Sequence, residues 1–279
     1  MIIMQKQVFL DYYKNISMRE ISKRDCFLNF KFANRLFCLI ILLLTFPLLI
    51  ACAEGDPLKD NIIDVIEEGP DNIAIEKDYY KGKRISIIGN SRCTYKGEIP
   101  ASNRSFYPRG DINDVTKTWW WIVIDSINAT LEVNNSYSAG RITNSHPTYP
   151  NYQSRIGKLG NPDIIFLWGG VNDQNNGIPV GDINFDLSDE ELDSSKFATA
   201  FIKLIRSMKT LYANAQIIVF IETDLNAEYT NTLHQIASYY NLKTIDLTHL
   251  STSKMDALHY NSVGMTQIAN ETIKQLFIN

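Results

Sequence analysis

Five short apolar runs, each stopped by a turn, limit what this chain can fold into. They are 84–89 (RISIIG), 130–134 (TLEVN), 163–168 (DIIFLW), 216–221 (QIIVFI) and 242–247 (LKTIDL). Short runs bounded by turn residues read as strands, and 84–89, 163–168 and 216–221, rich in Ile, Val and Phe, read as buried ones. The unbroken hydrophobicity of DIIFLW marks a strand covered on both faces, as in a parallel sheet. Between the runs lie helical patterns at 115–128, from Ser188 through Leu211, at 226–240 and at 262–276. Ser188, followed by Glu191, has the form of a capping box and is expected to open its helix. Strands alternating with helices imply βαβ units, a parallel sheet and helices on both sides. No internal repeat interrupts the pattern.

The N-terminus is a separate object. Residues 36–51 (LFCLIILLLTFPLLIA) are almost wholly apolar and follow Lys23, Arg24, Lys31 and Arg35. A basic segment followed by a stretch of about 15 apolar residues has the proportions of an export signal, being short of the roughly 20 a membrane span needs. It ends in Leu49-Ile50-Ala51-Cys52, which resembles the lipobox of bacterial lipoproteins, whose cysteine is lipidated. The expected organisation is therefore a signal peptide over 1–51, a lipidated tether and lead-in over 52–80, and a folded domain over 81–279. The long basic segment leaves Met18 as an alternative start. The implied location is the cell envelope, held to the membrane through lipid on Cys52.

Loss of 1–51 would remove seven basic and three acidic residues, leaving 20 Lys+Arg against 28 Asp+Glu and a net charge of −8. An acidic body without basic clusters does not suit a nucleic-acid partner. Cys26 and Cys38 fall in the signal segment and Cys52 is the lipid site, so Cys93 is the one cysteine of the domain and forms no disulfide within it. No Cys/His cluster has zinc-ligand spacing. Cys93 itself is expected as a small packing residue in a first helical turn or loop.

Chemistry-bearing residues gather where the strands end. The first run breaks at Gly89-Asn90-Ser91, the second runs into Asn135-Ser136-Tyr137-Ser138-Ala139-Gly140, and the third stops at Gly169-Gly170-Val171-Asn172-Asp173. After the fifth comes Asp256-Ala257-Leu258-His259. In a parallel sheet these ends share one rim. A serine hydroxyl is a weak nucleophile until a base takes its proton, and His259 is the histidine placed for that task. Asp256, three residues earlier, can hold the other ring nitrogen. The Asn172 amide and backbone N–H groups at Ser91 and Gly140 can receive an oxyanion. His146, His234 and His249 read as surface or loop residues, and Asp173 as support for its loop.

These four blocks, Gly89-Asn90-Ser91, Gly140, Gly170-x-Asn172-Asp173 and Asp256-x-x-His259, resemble the SGNH (GDSL-type) hydrolases over nearly all of the folded body. The resemblance is closer to exported bacterial members with STYKGYIP-like and NNSYSG-like segments, here residues 93–100 and 134–140. It implies a flavodoxin-like three-layer α/β/α sandwich with a mainly five-stranded parallel sheet, and ester hydrolysis with neither metal nor organic cofactor. Two departures stand out. Asn90 occupies a place where the family usually has aspartate; asparagine keeps the turn and one acceptor oxygen. A gap-free alignment puts Ala139 at the usual oxyanion glycine, with Gly140 one later, and Gly140 is taken as the donor.

The resulting expectation is an exported serine esterase acting on a small ester, such as an O-acetyl group on carbohydrate. The aromatic residues Tyr95, Phe106, Tyr107 and Trp119–Trp121 are compatible with a sugar platform, although core packing is the commoner role for the tryptophans. Lipase or thioesterase specificity in the same fold, a non-catalytic glycan-binding protein, and acetyl transfer to sugar are the alternatives.

Overall fold

The computed structural model describes residues 79–277. The expected signal segment, Cys52 and the tether up to residue 78 lie outside the described residues. All five apolar runs are strands: β1 (Arg84–Ile88), β2 (Thr130–Asn134), β3 (Ile164–Trp168), β4 (Gln216–Ile221) and β5 (Lys243–Asp246). They form one parallel sheet in the order β2-β1-β3-β4-β5. That is the doubly wound flavodoxin-like order, whose topological switch point lies between β1 and β3.

Parallel neighbours need crossovers, and among the described residues the helices that follow β1 are α1 (Trp119–Ser126), α2 (Val171–Asn175), α3 (Phe197–Leu211), α4 (Ala227–Tyr239) and α5 (Ser262–Leu276). Side chains alternate across the sheet, so the two faces have separate cores. Ile85, Ile87, Phe166, Trp168, Ile218 and Phe220 pack with α1 and α5. Ile88, Ile165, Leu167, Ile217, Val219 and Ile221 pack with α3 and α4. Every residue of β3 is buried, as its unbroken hydrophobicity requires. Phe166 is wholly enclosed, and truncating such a ring to alanine costs about 3–5 kcal/mol.

Two helix starts differ from expectation, both because short polar side chains bond to the backbone locally. Ser188 and Glu191 do make the capping-box contact, with the Ser188 N–H donating to Glu191 Oε2 at 2.8 Å. They close only a turn. Asp193 then accepts the N–H and hydroxyl of Ser195, and the helix starts at Phe197. The first N–H groups of α3 donate to the carbonyls of Pro179 and Val180, which does the work of a cap. The 115–128 segment divides likewise. Asp114 caps a 3-10 turn over Val115–Lys117, extended Thr118 breaks it, and α1 begins at Trp119.

Candidate active site

At the end of β1 the chain turns so tightly that a Cβ on Gly89 would lie 2.5 Å from the sulfur of Cys93. Only glycine fits there. Asn90 then caps the 3-10 turn Ser91–Cys93, its Oδ1 accepting the Arg92 N–H at 3.0 Å. This is the turn-holding role expected of that position. Ser91 is left at the rim, 8% exposed. Cys93 faces inward, wholly buried, and burial drives its thiol pKa well above the ordinary value. It is a packing residue.

The rim brings Asp256 and His259 to Ser91. His259 Nε2 lies 2.9 Å from Ser91 Oγ, and His259 Nδ1 lies 2.9 Å from Asp256 Oδ2. A carboxylate can only accept, so the imidazole carries its proton on Nδ1 and presents a free lone pair to the hydroxyl. Asp256 is fixed in turn by the N–H groups of Leu258 at 2.8 Å and His259 at 2.7 Å. Burial works to raise its pKa, but these donors and the imidazole outweigh that and bring it down to about 2. Burial lowers the pKa of His259; Asp256 opposes this, and the charges of Arg92 and Arg109 reinforce it, leaving a net decrease. A base that stays neutral below the usual histidine range is ready to accept a proton at neutral pH.

Of the expected oxyanion residues, Gly140 has its N–H engaged within its own loop. The Gly140 N–H donates to the Tyr137 carbonyl at 2.9 Å and is committed to that turn. Ala139, immediately before it, has φ +67°, and among the described residues its N–H meets no acceptor. Gly140 is glycine for space: a Cβ there would sit 2.9 Å from the Tyr137 carbonyl oxygen and 3.0 Å from Arg155 Nη2. Asn172, in the first turn of α2, donates through Nδ2 to the Gly140 carbonyl at 2.9 Å, so the second and third blocks meet. Asp173 clamps the same junction, accepting from Ile142 N, Thr143 N and Thr143 Oγ1 at 3.0, 3.0 and 2.7 Å. Burial pushes its pKa up to about 6 against those bonds. It supports the loop, as the sequence suggested.

The aromatic platform also contracts. Tyr107, Trp119 and Trp120 are buried in the core, and Tyr95 and Trp121 pack partly buried against it. Trp119 still serves the site, its Nε1 donating to the Arg92 carbonyl at 3.1 Å. Phe106 remains, stacked on the ring of His259. Unforeseen were Tyr137 and Tyr149, rings 5.7 Å apart, with Tyr149 stacked on His146 and its hydroxyl held by Arg104 at 2.7 Å. Arg104 is tied to the Tyr137–Gly140 loop by its carbonyl, which accepts the Ser138 N–H. His234 and His249 lie away from this group, beside Asp246 and Glu271.

The residue least legible beforehand is Glu222. It follows β4 as an ordinary polar strand end, yet it is wholly buried. It accepts from Asn90 and Arg92 of the serine turn, from Trp168 of β3 and from the first N–H of α2.

The sequence signature described as GDSL-like Lipase/Acylhydrolase matches residues 83–276. No curated protein matches the chain. Among solved structures, a proposed GDSL-like lipase from Bacteroides ovatus is 32% identical, covering 69% of this chain and 96% of its own, with TM-score 0.62. One from Bacteroides uniformis is 31% identical over 71% and 96%, with TM-score 0.64. A family two carbohydrate esterase from Clostridium thermocellum, 16% identical over 69% and 62%, shares the fold with TM-score 0.50.

Proposed function

The chain belongs to the GDSL-like lipase/acylhydrolase family and is an ester hydrolase, and from that premise we propose that Ser91, His259 and Asp256 hydrolyse small esters, O-acetyl groups on carbohydrate first among them. The observation that carries this is the 2.9 Å approach of His259 Nε2 to Ser91 Oγ, with Asp256 on the opposite ring nitrogen. Ser91 Oγ attacks the ester carbonyl carbon as its proton passes to His259 Nε2. The carbonyl oxygen, now negative, takes hydrogen bonds from the Ser91 N–H, the Ala139 N–H and the second N–H of Asn172 Nδ2, the first being held by the Gly140 carbonyl. Each such donor is worth about 10²–10³ in rate. Collapse breaks the ester C–O bond, and the imidazolium gives its proton to the departing alcohol. Water then attacks the acyl-serine, its proton passing to Nε2, and the acid leaves with Ser91 restored.

Carbohydrate is favoured by the rim. The half-buried rings of Phe106, Tyr137 and Tyr149 and the exposed Arg104 combine apolar surface with a donor, the mixture that suits a sugar's apolar faces and hydroxyls. The N-terminal segment supports an exported lipoprotein with lipid on Cys52, in the compartment where such polymers are met. The test is a series of p-nitrophenyl esters from acetate to decanoate beside acetylated xylan. Acetate release from xylan, with p-nitrophenyl activity falling as the acyl chain lengthens, supports the proposal; preference for decanoate replaces it with a lipase reading.

A further inference from the structure

Glu222 is 0% exposed, and a carboxylate at that depth is tolerated only when donors surround it. It has four. Asn90 Nδ2 reaches both oxygens at 3.2 and 3.1 Å, Arg92 Nη1 one at 3.1 Å, Trp168 Nε1 the same one at 2.7 Å, and the Val171 N–H the other at 3.0 Å. These donors come from the turn that carries Ser91, from β3, and from the start of the helix that carries Asn172. Arg92 extends the connection to the base. Its Nε donates to the carbonyl of Leu258, the neighbour of His259, at 3.0 Å, and its Nη2 pairs with Asp224, which also pairs with Lys254. One carboxylate thus ties together the three segments whose relative placement sets the reacting geometry, without facing the rim itself.

The same contacts explain Asn90. Its Oδ1 is committed to the Arg92 N–H at 3.0 Å, which turns Nδ2 toward Glu222. An aspartate there would set an oxygen against both Glu222 oxygens at the 3.1–3.2 Å the amide now spans. Two carboxylates at that range repel strongly in a site closed to water.

We propose that Glu222 is a positioning residue for the ester hydrolysis, acting through Arg92 and Val171, and that Asn90 and Glu222 form a coupled pair in which the amide is required by the carboxylate it faces. The proposal rests on Ser91 being the nucleophile. Asn90→Asp disturbs the pair by adding a charge, and Glu222→Gln by replacing an acceptor with an NH2 that must face other donors. The double variant Asn90→Asp/Glu222→Gln exchanges the two groups and restores both the net charge and a donor–acceptor match between them.

The test is a double-mutant cycle on the purified protein, reading kcat, KM and Tm with p-nitrophenyl acetate, and Ser91→Ala alongside. Each single variant is expected to lose about 10- to 100-fold in kcat with KM within about threefold, the pattern of disturbed positioning rather than lost binding. The double variant should regain at least about tenfold over the worse single. Singles with wild-type kcat, even at lowered Tm, overturn the proposal, as does a double whose losses multiply. Should a single variant not fold, Asn90→Ser removes the amide donor without adding charge: a fall in kcat of about fivefold or more supports the contact and an unchanged kcat overturns it. If Ser91→Ala keeps activity, the nucleophile assignment fails whatever the cycle shows. If Ser91→Ala is inactive and the cycle is flat, positioning by Glu222 alone fails.

Discussion

The ring of Phe106 lies flat on the imidazole of His259, centroids 3.4 Å apart and planes 11° from parallel. The stack covers one face of the base and contributes to the burial that lowers its pKa. The neutral imidazole is the active form, so activity is lost as pH falls through the His259 pKa. Phe106→Ala admits water to the ring, raises that pKa toward 6.5 and moves the acid limb of kcat/KM to higher pH. A pH–rate profile of the variant checks this; an acid limb in the wild-type position would show that the stack does not shield the base.

Arg109 adds charge to the same stack, its guanidinium 4.9 Å from the Phe106 ring centre. A nearby positive charge disfavours imidazolium, so Arg109→Gln should also raise the pKa of His259. Arg109 is exposed, so solvent and salt screen its charge and the shift is largest at low ionic strength. Profiles at 20 and 500 mM salt should converge for wild type and variant at the higher value. A difference that persists at high salt would point to a cause other than charge.

Asp256 is solvated, with 43% of its side chain exposed. Water can take over part of its role, which a fully buried acid, worth about 10⁴ in rate, does not allow. Asp256→Asn is therefore expected to reduce kcat by about 10²-fold, the amide still accepting from Leu258 and His259 but no longer selecting the imidazole tautomer. A loss of 10⁴ or more, measured with p-nitrophenyl acetate, would contradict this account of its exposure.

Ala139 and Gly140 can be separated by exchanging their side chains one at a time. Ala139→Gly relieves a left-handed backbone worth about 1–2 kcal/mol, offset by about 0.4–1 kcal/mol of added freedom in the unfolded chain, so stability should rise by up to about 1.6 kcal/mol with kcat retained. Gly140→Ala drives a Cβ against the Tyr137 carbonyl and should destabilise by about 1–3 kcal/mol. Urea denaturation with parallel assays checks both. A stable, active Gly140→Ala would remove the packing argument.

The inner strands were legible because a sheet covered on both faces needs unbroken apolar residues, as in β3 and β4, and β4 falls on its sequence run to the residue. The edge strand β2, half-buried and partly polar, was legible from the turn residues that bound it. The four rim blocks were legible for a related reason: a parallel sheet delivers every strand end to one side. Side chains that act locally against the periodic pattern were less visible. Asp193 and Thr118 delay helices that the apolar spacing alone would start earlier. In the Tyr137–Gly140 loop, glycine suggests positive φ, yet here Ala139 holds the positive φ and Gly140 yields space to Arg155 and Tyr137. Glu222 looked like any acid after a strand, since its meaning lies in the convergence of Asn90, Arg92, Trp168 and Val171 on one buried point.

The central claim is that Ser91 forms the acyl-enzyme with His259 as its base. Its most direct test is kcat/KM for p-nitrophenyl acetate in the wild type and in Ser91→Ala of equal Tm. The account predicts a fall of at least about 10³-fold in the variant. A folded Ser91→Ala that turns over the ester at the wild-type rate would contradict it.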